Sequence, residues 1–148
     1  VSFCEKNIGL NVPTSEEFNE DDLNILNNYK NNFEDLNTNV DNQNINFYLN
    51  FIVDQLFKAN KYFNDQEPWK RKDDKKRLNT IVYVSLEIIR KISILLYPII
   101  PESSLKALNI FNIKETDIDF STILNNNYLS PGKNINKIEI LFNKIKND

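Results

Sequence analysis

The feature that most restricts this chain is the stretch 73–96, where Leu78, Ile81, Val82, Leu86, Ile89, Ile92, Leu95 and Leu96 recur at helical spacing. Val84, Ile88 and Ile94 widen the apolar arc, and a helix apolar over so much of its circumference is central and covered from several sides. Only two glycines and five prolines occur in 148 residues, which argues against a turn-rich sandwich or barrel and for long helices. Pro98 stops the central helix and Pro101 opens a short one through Phe111, carrying Leu105, Leu108 and Ile110. Upstream, Ile45, Tyr48, Leu49, Ile52, Leu56, Ala59 and Phe63 predict a helix over 44–63, with Asp41 and Asn42 offering capping oxygens. Leu23, Leu26, Tyr29, Phe33 and Leu36 predict another over 19–37, its N-terminus favoured by Asp21 and Asp22. Val1 to Ile8 reads as the end of a further helix, with Gly9 as its left-handed cap. The expected fold is all-α: an antiparallel bundle of four to five helices over residues 1–111. Residues 112–148, with turn signals at Asp119-Phe120 and Ser130-Pro131-Gly132, read as an extended tail laid on the bundle or on an absent neighbour. No internal repeat is evident.

Composition narrows the chemistry. The chain has no histidine, which removes most general-base, triad and zinc arrangements. The single Cys4 cannot form an internal disulfide, fits a reducing compartment, and without a histidine partner reads as a small core residue. The acid pairs Glu16-Glu17 and Asp21-Asp22 match no calcium loop, and neighbours on a helix point different ways; a helix-start acidic cluster is the better account. No catalytic residue and no metal ligand is therefore expected. No apolar run reaches the roughly 18 residues of a membrane span, and no signal-peptide pattern opens the chain. The absence of methionine suggests a piece of something longer.

Charge is unevenly spread. The net charge is −3, yet residues 1–41 hold nine acids against Lys6 and Lys30, whereas Lys70, Arg71, Lys72, Lys75, Lys76 and Arg77 face only Asp73 and Asp74. This positive run directly follows the one tryptophan. Gln66-Glu67-Pro68 reads as a helix end, because a residue before proline is pushed out of the α region, and Pro68 suits the first position of the next turn. Trp69 thus sits at a rigid corner beside cations, an arrangement suited to stacking an unpaired base with phosphates close by.

At that corner the sequence also resembles a known family. Asn60-x-Tyr62 followed by Gln66-x-Pro68-Trp69 is similar to the pattern preceding the anticodon-reading tryptophan of methionyl-tRNA synthetases. Collinear matches follow: residues 80–90 resemble the family's next helix, Leu96-Tyr97-Pro98-Ile99-Ile100-Pro101-Glu102-Ser103 its proline-bracketed end, and residues 132–145, with Ile135, Leu141 and Phe142, its closing segment. The resemblance spans nearly the whole chain. It implies the C-terminal anticodon-binding domain of a class I methionine–tRNA ligase, with tRNA(Met) and the catalytic domain of the same full-length chain as partners, and neither DNA nor membrane. It further implies that Trp69 stacks on the cytosine of the CAU anticodon, that Pro68 sets its angle, and that Asn60 and Tyr62 brace the corner. Lys70, Arg71, Lys72, Lys75, Lys76 and Arg77 become candidates for phosphate contacts. An Asn and an Arg four apart, which also read the anticodon in the family, are expected just upstream of Val1. ATP-dependent adenylate formation, with ATP and Mg as cofactors, and methionyl transfer belong by the same resemblance to an absent catalytic portion. This stretch alone is expected to be inactive and without a cofactor. The implied location is the cytoplasm or an organelle's matrix. Arg71 departs from the family, standing where an apolar residue is usual, the 70–77 loop is one residue shorter, and Asn143-Lys144 replaces a frequent Pro-Arg.

Two other readings stand beside this one. In a protein-interaction bundle without RNA contact, Trp69 would pack inside and the basic run would merely be solvated; that reading accommodates the acidic pI of about 5.1. Another class I synthetase with a helical anticodon domain, such as those for cysteine, valine or isoleucine, would keep tRNA binding, but the 60–69 corner and the closing segment speak against it.

Overall fold

The structure is a computed structural model describing residues 2–137. The closing segment from Ile138, with Leu141, Phe142 and Asn143-Lys144, lies outside the described residues. Among the described residues, six α-helices follow in order: α1 (Ser2–Asn7), α2 (Glu20–Asn31), α3 (Phe33–Asp41), α4 (Ile45–Gln66), α5 (Lys75–Leu96) and α6 (Pro101–Asn109). Helix α5 is the axis the others pack around: fifteen of its 22 residues are buried, and Ile81, Val84 and Leu95 are fully enclosed. Full burial of such side chains stabilises by about 1.5–3 kcal/mol each before entropy is counted.

Local chemistry sets the helix limits. Helix α1 ends as its sequence predicts, with Gly9 at φ +106° and its N–H bonded to the Cys4 carbonyl at 2.9 Å. Helix α2 opens on a capping box in which Asn19 and Asp22 exchange side-chain-to-backbone bonds of 3.0 Å each way. The single helix expected over 19–37 is instead two. At Asn32 the backbone leaves the helix (φ −111°, ψ 8°) and the side-chain amide donates to the Asn28 carbonyl at 2.7 Å. Asparagine side chains compete with the backbone for such bonds, and the break still lets Leu26, Tyr29 and Leu36 all reach the core. The cap of α4 is also displaced from expectation. Asn44, not Asp41 or Asn42, accepts the Phe47 N–H at 3.2 Å.

Helix α4 is amphipathic in an unexpected way. Tyr48, Phe51, Ile52 and Tyr62 face the core, but Ile45 and Leu56 of the predicted apolar stripe are 66% and 42% exposed, and Phe57 is 70% exposed. Residues 112–137 do more than lie on the bundle. They form short 3-10 turns at Glu115–Asp117 and Phe120–Leu124 and place Ile123 and Ile135 fully inside it. Their last stretch pairs with the connection after α1, through Val12 N–H to the Lys133 carbonyl and Ile135 N–H to the Leu10 carbonyl, both 2.8 Å.

The core has a polar seam. Arg90, fully buried, bonds Glu87 at 2.8 Å and reaches the carbonyls of Thr122 and Asn125 at 3.1 Å each. The other Glu87 oxygen accepts the Leu129 N–H at 2.7 Å and the Tyr83 hydroxyl at 3.3 Å. Beside it, the Lys91 ammonium lies 5.0 Å above the Tyr29 ring and donates to the Leu26 carbonyl and to Asn126. Burial, reinforced by Arg90 and opposed by Glu87, pushes Lys91 down to about 7.

Removing one partner of a buried ion pair strands the other charge, so Arg90→Ala is expected to destabilise the fold by about 3–5 kcal/mol in denaturant titrations. For Lys91, the unfolded chain keeps the ordinary value of 10.5 and therefore holds more protons than the native chain between about pH 7 and 10. Stability consequently rises with pH across that window. Thermal melts from pH 7 to 9 are expected to show an increasing Tm that Lys91→Met flattens.

Candidate nucleic-acid interface

Helix α4 runs out at Gln66. Glu67 then adopts the left-handed conformation (φ 46°, ψ 55°), and Pro68 opens a single 3-10 turn, Pro68–Lys70. The residue before proline avoids the right-handed helical region as expected, but by entering the left-handed basin rather than an extended one. Lys70 N–H bonds the Glu67 carbonyl at 2.9 Å and Arg71 N–H the Pro68 carbonyl at 3.2 Å. Pro68 is buried, while Trp69 stands at the surface with 43% of its area exposed. One ring supports it: the Phe63 centroid lies 6.1 Å away at 56°, and Phe63 in turn meets Phe3 edge-on at 5.6 Å. An aromatic line thus crosses from α1 over α4 to the corner. Behind it Asn60, exposed, and Phe63 line a cavity of about 270 Å³ between α1, α4 and α5, together with Phe3, Ala59 and Leu86.

The corner stands on a buried charge cluster. Asp22 of α2 is fully buried and accepts both guanidinium ends of Arg77, at 2.5 and 2.9 Å, along with the Tyr62 hydroxyl at 2.5 Å. The same Arg77 Nη2 donates to Gln66 Oε1 at 2.7 Å, and Gln66 Nε2 donates to Asp21 at 2.9 Å. Arg71 Nε closes the loop onto the Gln66 carbonyl at 2.8 Å. Burial pushes the Asp22 carboxyl up, but the hydrogen bonds from Arg77, Tyr62 and the Asn19 N–H outweigh it and hold the group below the usual carboxylate range. Burial and the neighbouring Asp22 raise the Tyr62 phenol, so it stays protonated and donates.

The residues expected to act together are therefore sorted into different environments. Trp69 and Asn60 are at the surface, Pro68 and Tyr62 are inside, and the Tyr62 hydroxyl bonds Asp22, the partner that Arg77 shares. Among the cations, Lys72 and Lys75 are exposed. Lys70 is paired with Glu67 at 2.7 Å and Lys76 with Glu16 at 3.6 Å, all four side chains largely open to water. Arg71 is half-buried, with its Nε donating to the Gln66 carbonyl. Arg77 differs from the rest: its side chain is only 16% exposed and engaged by Asp22 and Gln66, so it is not the free surface cation its place in the basic run suggested. Gln66 stands out in the sequence only as part of the corner pattern, and Asp22 was not expected at the site. The acid at the third position of a capping box hinted at Asp22, but nothing in its spacing pointed 55 residues ahead to Arg77. Among the described residues no group of three or more His, Cys, Asp or Glu could hold a metal ion, and no helix is long and apolar enough to cross a membrane.

Comparison with known proteins now bears on this geometry. Residues 12–148 match the family model of the anticodon binding domain of methionyl tRNA ligase. The chain is 34% identical over 125 residues to the methionine–tRNA ligase of Brucella suis, covering 84% of this chain and 24% of that protein. It is 31% identical over 139 residues to that of Pyrococcus horikoshii, covering 93% of this chain and 18% of that protein. The crystal structure of the apo form of Mycobacterium tuberculosis methionyl-tRNA synthetase superimposes with a TM-score of 0.89 at 28% identity, over 99% of this chain and 30% of that one. The chain thus spans between about a fifth and a third of the length of these relatives, and the helical domain built around the Trp69 corner belongs to the family of anticodon-binding domains of methionyl-tRNA ligases.

Proposed function

We propose that this domain reads the CAU anticodon of tRNA(Met) by stacking a splayed base on Trp69, in the service of a longer methionine–tRNA ligase whose catalytic domain performs ATP- and Mg-dependent methionylation. The observation that carries the reading is the open indole at a proline corner, 43% exposed on a short rigid turn. A large π face held away from the core offers about 1–3 kcal/mol per stacked base. Lys70, Lys72, Lys75 and Lys76, with the half-buried Arg71, supply the adjoining phosphate attraction. The protein-interaction alternative required Trp69 to pack inside, and the exposure of its ring disfavours it.

Stacking holds any base, so discrimination among bases falls to edge hydrogen bonds. The chain is expected to bind an anticodon stem-loop weakly, and to distinguish CAU from other triplets poorly, in gel-shift titrations. Trp69→Ala is expected to leave the helical circular dichroism intact and weaken stem-loop binding by about 1–3 kcal/mol. Tight, CAU-selective binding by these 148 residues would contradict the first expectation, and global unfolding the second.

A further inference from the structure

Trp69 keeps 43% of its area open, and the one ring it is seen to meet, Phe63, is tilted at 56° rather than stacked, so the pose of the indole depends on the turn that carries it. The turn that carries it is strained besides. Glu67, with a full side chain, holds φ at 46°, and such a residue keeps a left-handed conformation only where its surroundings over-determine it. Those surroundings are identifiable. Tyr62 and Gln66 lie one turn apart on the same face of α4 and are the last residues of that helix to be buried. Arg77, in the first turn of α5, reaches Gln66 directly and Tyr62 through their shared partner Asp22. The eight residues 67–74 between the two helices are thereby clamped at both ends. Arg71 adds a third point by capping the free carbonyl of Gln66.

We infer that Asp22 and Arg77, with Tyr62, are positioning residues for Trp69, the buried fork setting the angle at which the indole meets its base. This rests on the reading of Trp69 as the stacking platform. No residue of the clamp except Arg71 lies in the exposed turn, so the control is exerted from inside the protein. It requires guanidinium geometry. A lysine at 77 keeps the charge but cannot bond both Asp22 oxygens and Gln66 in one plane. Tyr62→Phe removes one hydroxyl and changes no charge while the ring keeps its place.

The test uses Arg77→Lys and Tyr62→Phe, with Trp69→Ala as reference, at a temperature where circular dichroism shows all variants as helical as the parent. Trp69 is the one tryptophan, so its emission maximum and iodide quenching report the corner alone. Both clamp variants are expected to shift that emission and quenching, and to weaken binding of a CAU hairpin RNA by about three- to tenfold, a fraction of what losing the stack itself costs. Unchanged emission and quenching in both, with only a lower Tm, would overturn the inference and leave the cluster a purely structural device. Weaker binding by Arg77→Lys without an emission change, and none by Tyr62→Phe, would also overturn it, marking Arg77 as a direct phosphate contact. If Trp69→Ala binds the hairpin as the parent does, the RNA reading of Trp69 fails instead, and the emission of the two clamp variants still decides whether the cluster sets its pose.

Discussion

The bundle depends on α5 being enclosed on nearly all sides while still carrying charged side chains that each demand a particular partner. Apolar burial drives the other helices onto α5, but burial alone is indifferent to rotation and sliding of one helix against another. Arg77, Glu87, Arg90 and Lys91 remove that freedom, because each can be satisfied only by specific groups brought to it. Arg77 claims Asp22 of α2 and Gln66 of α4. Glu87 and Arg90 claim the backbone of residues 122–129. Lys91 claims the Leu26 carbonyl and Asn126, tying α2 to the same crossing segment. Groups of this kind cost free energy to bury and return it only when paired. They select one arrangement among several that the apolar surface would tolerate.

Much of this was legible in the chain. Period and punctuation located α4, α5 and α6 to within a few residues, because long apolar repeats and the prolines at 68, 98 and 101 act locally. The Trp69 corner was legible for the same reason, since Pro68 and the preceding helix end are neighbours in sequence. The misses arose where a local signal was weaker than a distant one. In an asparagine-rich stretch the 19–37 pattern gave no sign that the Asn32 side chain would donate to the Asn28 carbonyl and divide the helix. Residues 112–137 lack helical period and read as a tail laid on the bundle, which they are; what stayed hidden is that Ile123 and Ile135 find fully enclosed sites that only the assembled bundle supplies. Arg77 looked like one more cation in a basic run. Its burial follows from Asp22, and no spacing rule connects two side chains from the first turns of separate helices.

Losing Arg77 from the positive surface changes how an acidic domain of net charge −3 can hold a polyanion. Four lysines and the half-buried Arg71 remain around the corner, and two of the lysines already share their charge with Glu67 and Glu16. Each neutralised phosphate contributes through counterion release, so this corner offers only a handful of such contacts and long-range attraction is modest. On the proposed reading, affinity then comes disproportionately from short-range contact with the base, which is where an open indole is effective. A platform of that kind is useful only at a defined angle, because a ring free to swing loses in entropy what it gains in overlap. The fully buried carboxylate beneath the corner therefore has a consequence at the surface: the guanidinium that would otherwise have joined the electrostatic patch is turned inward, where it holds the turn that bears the ring.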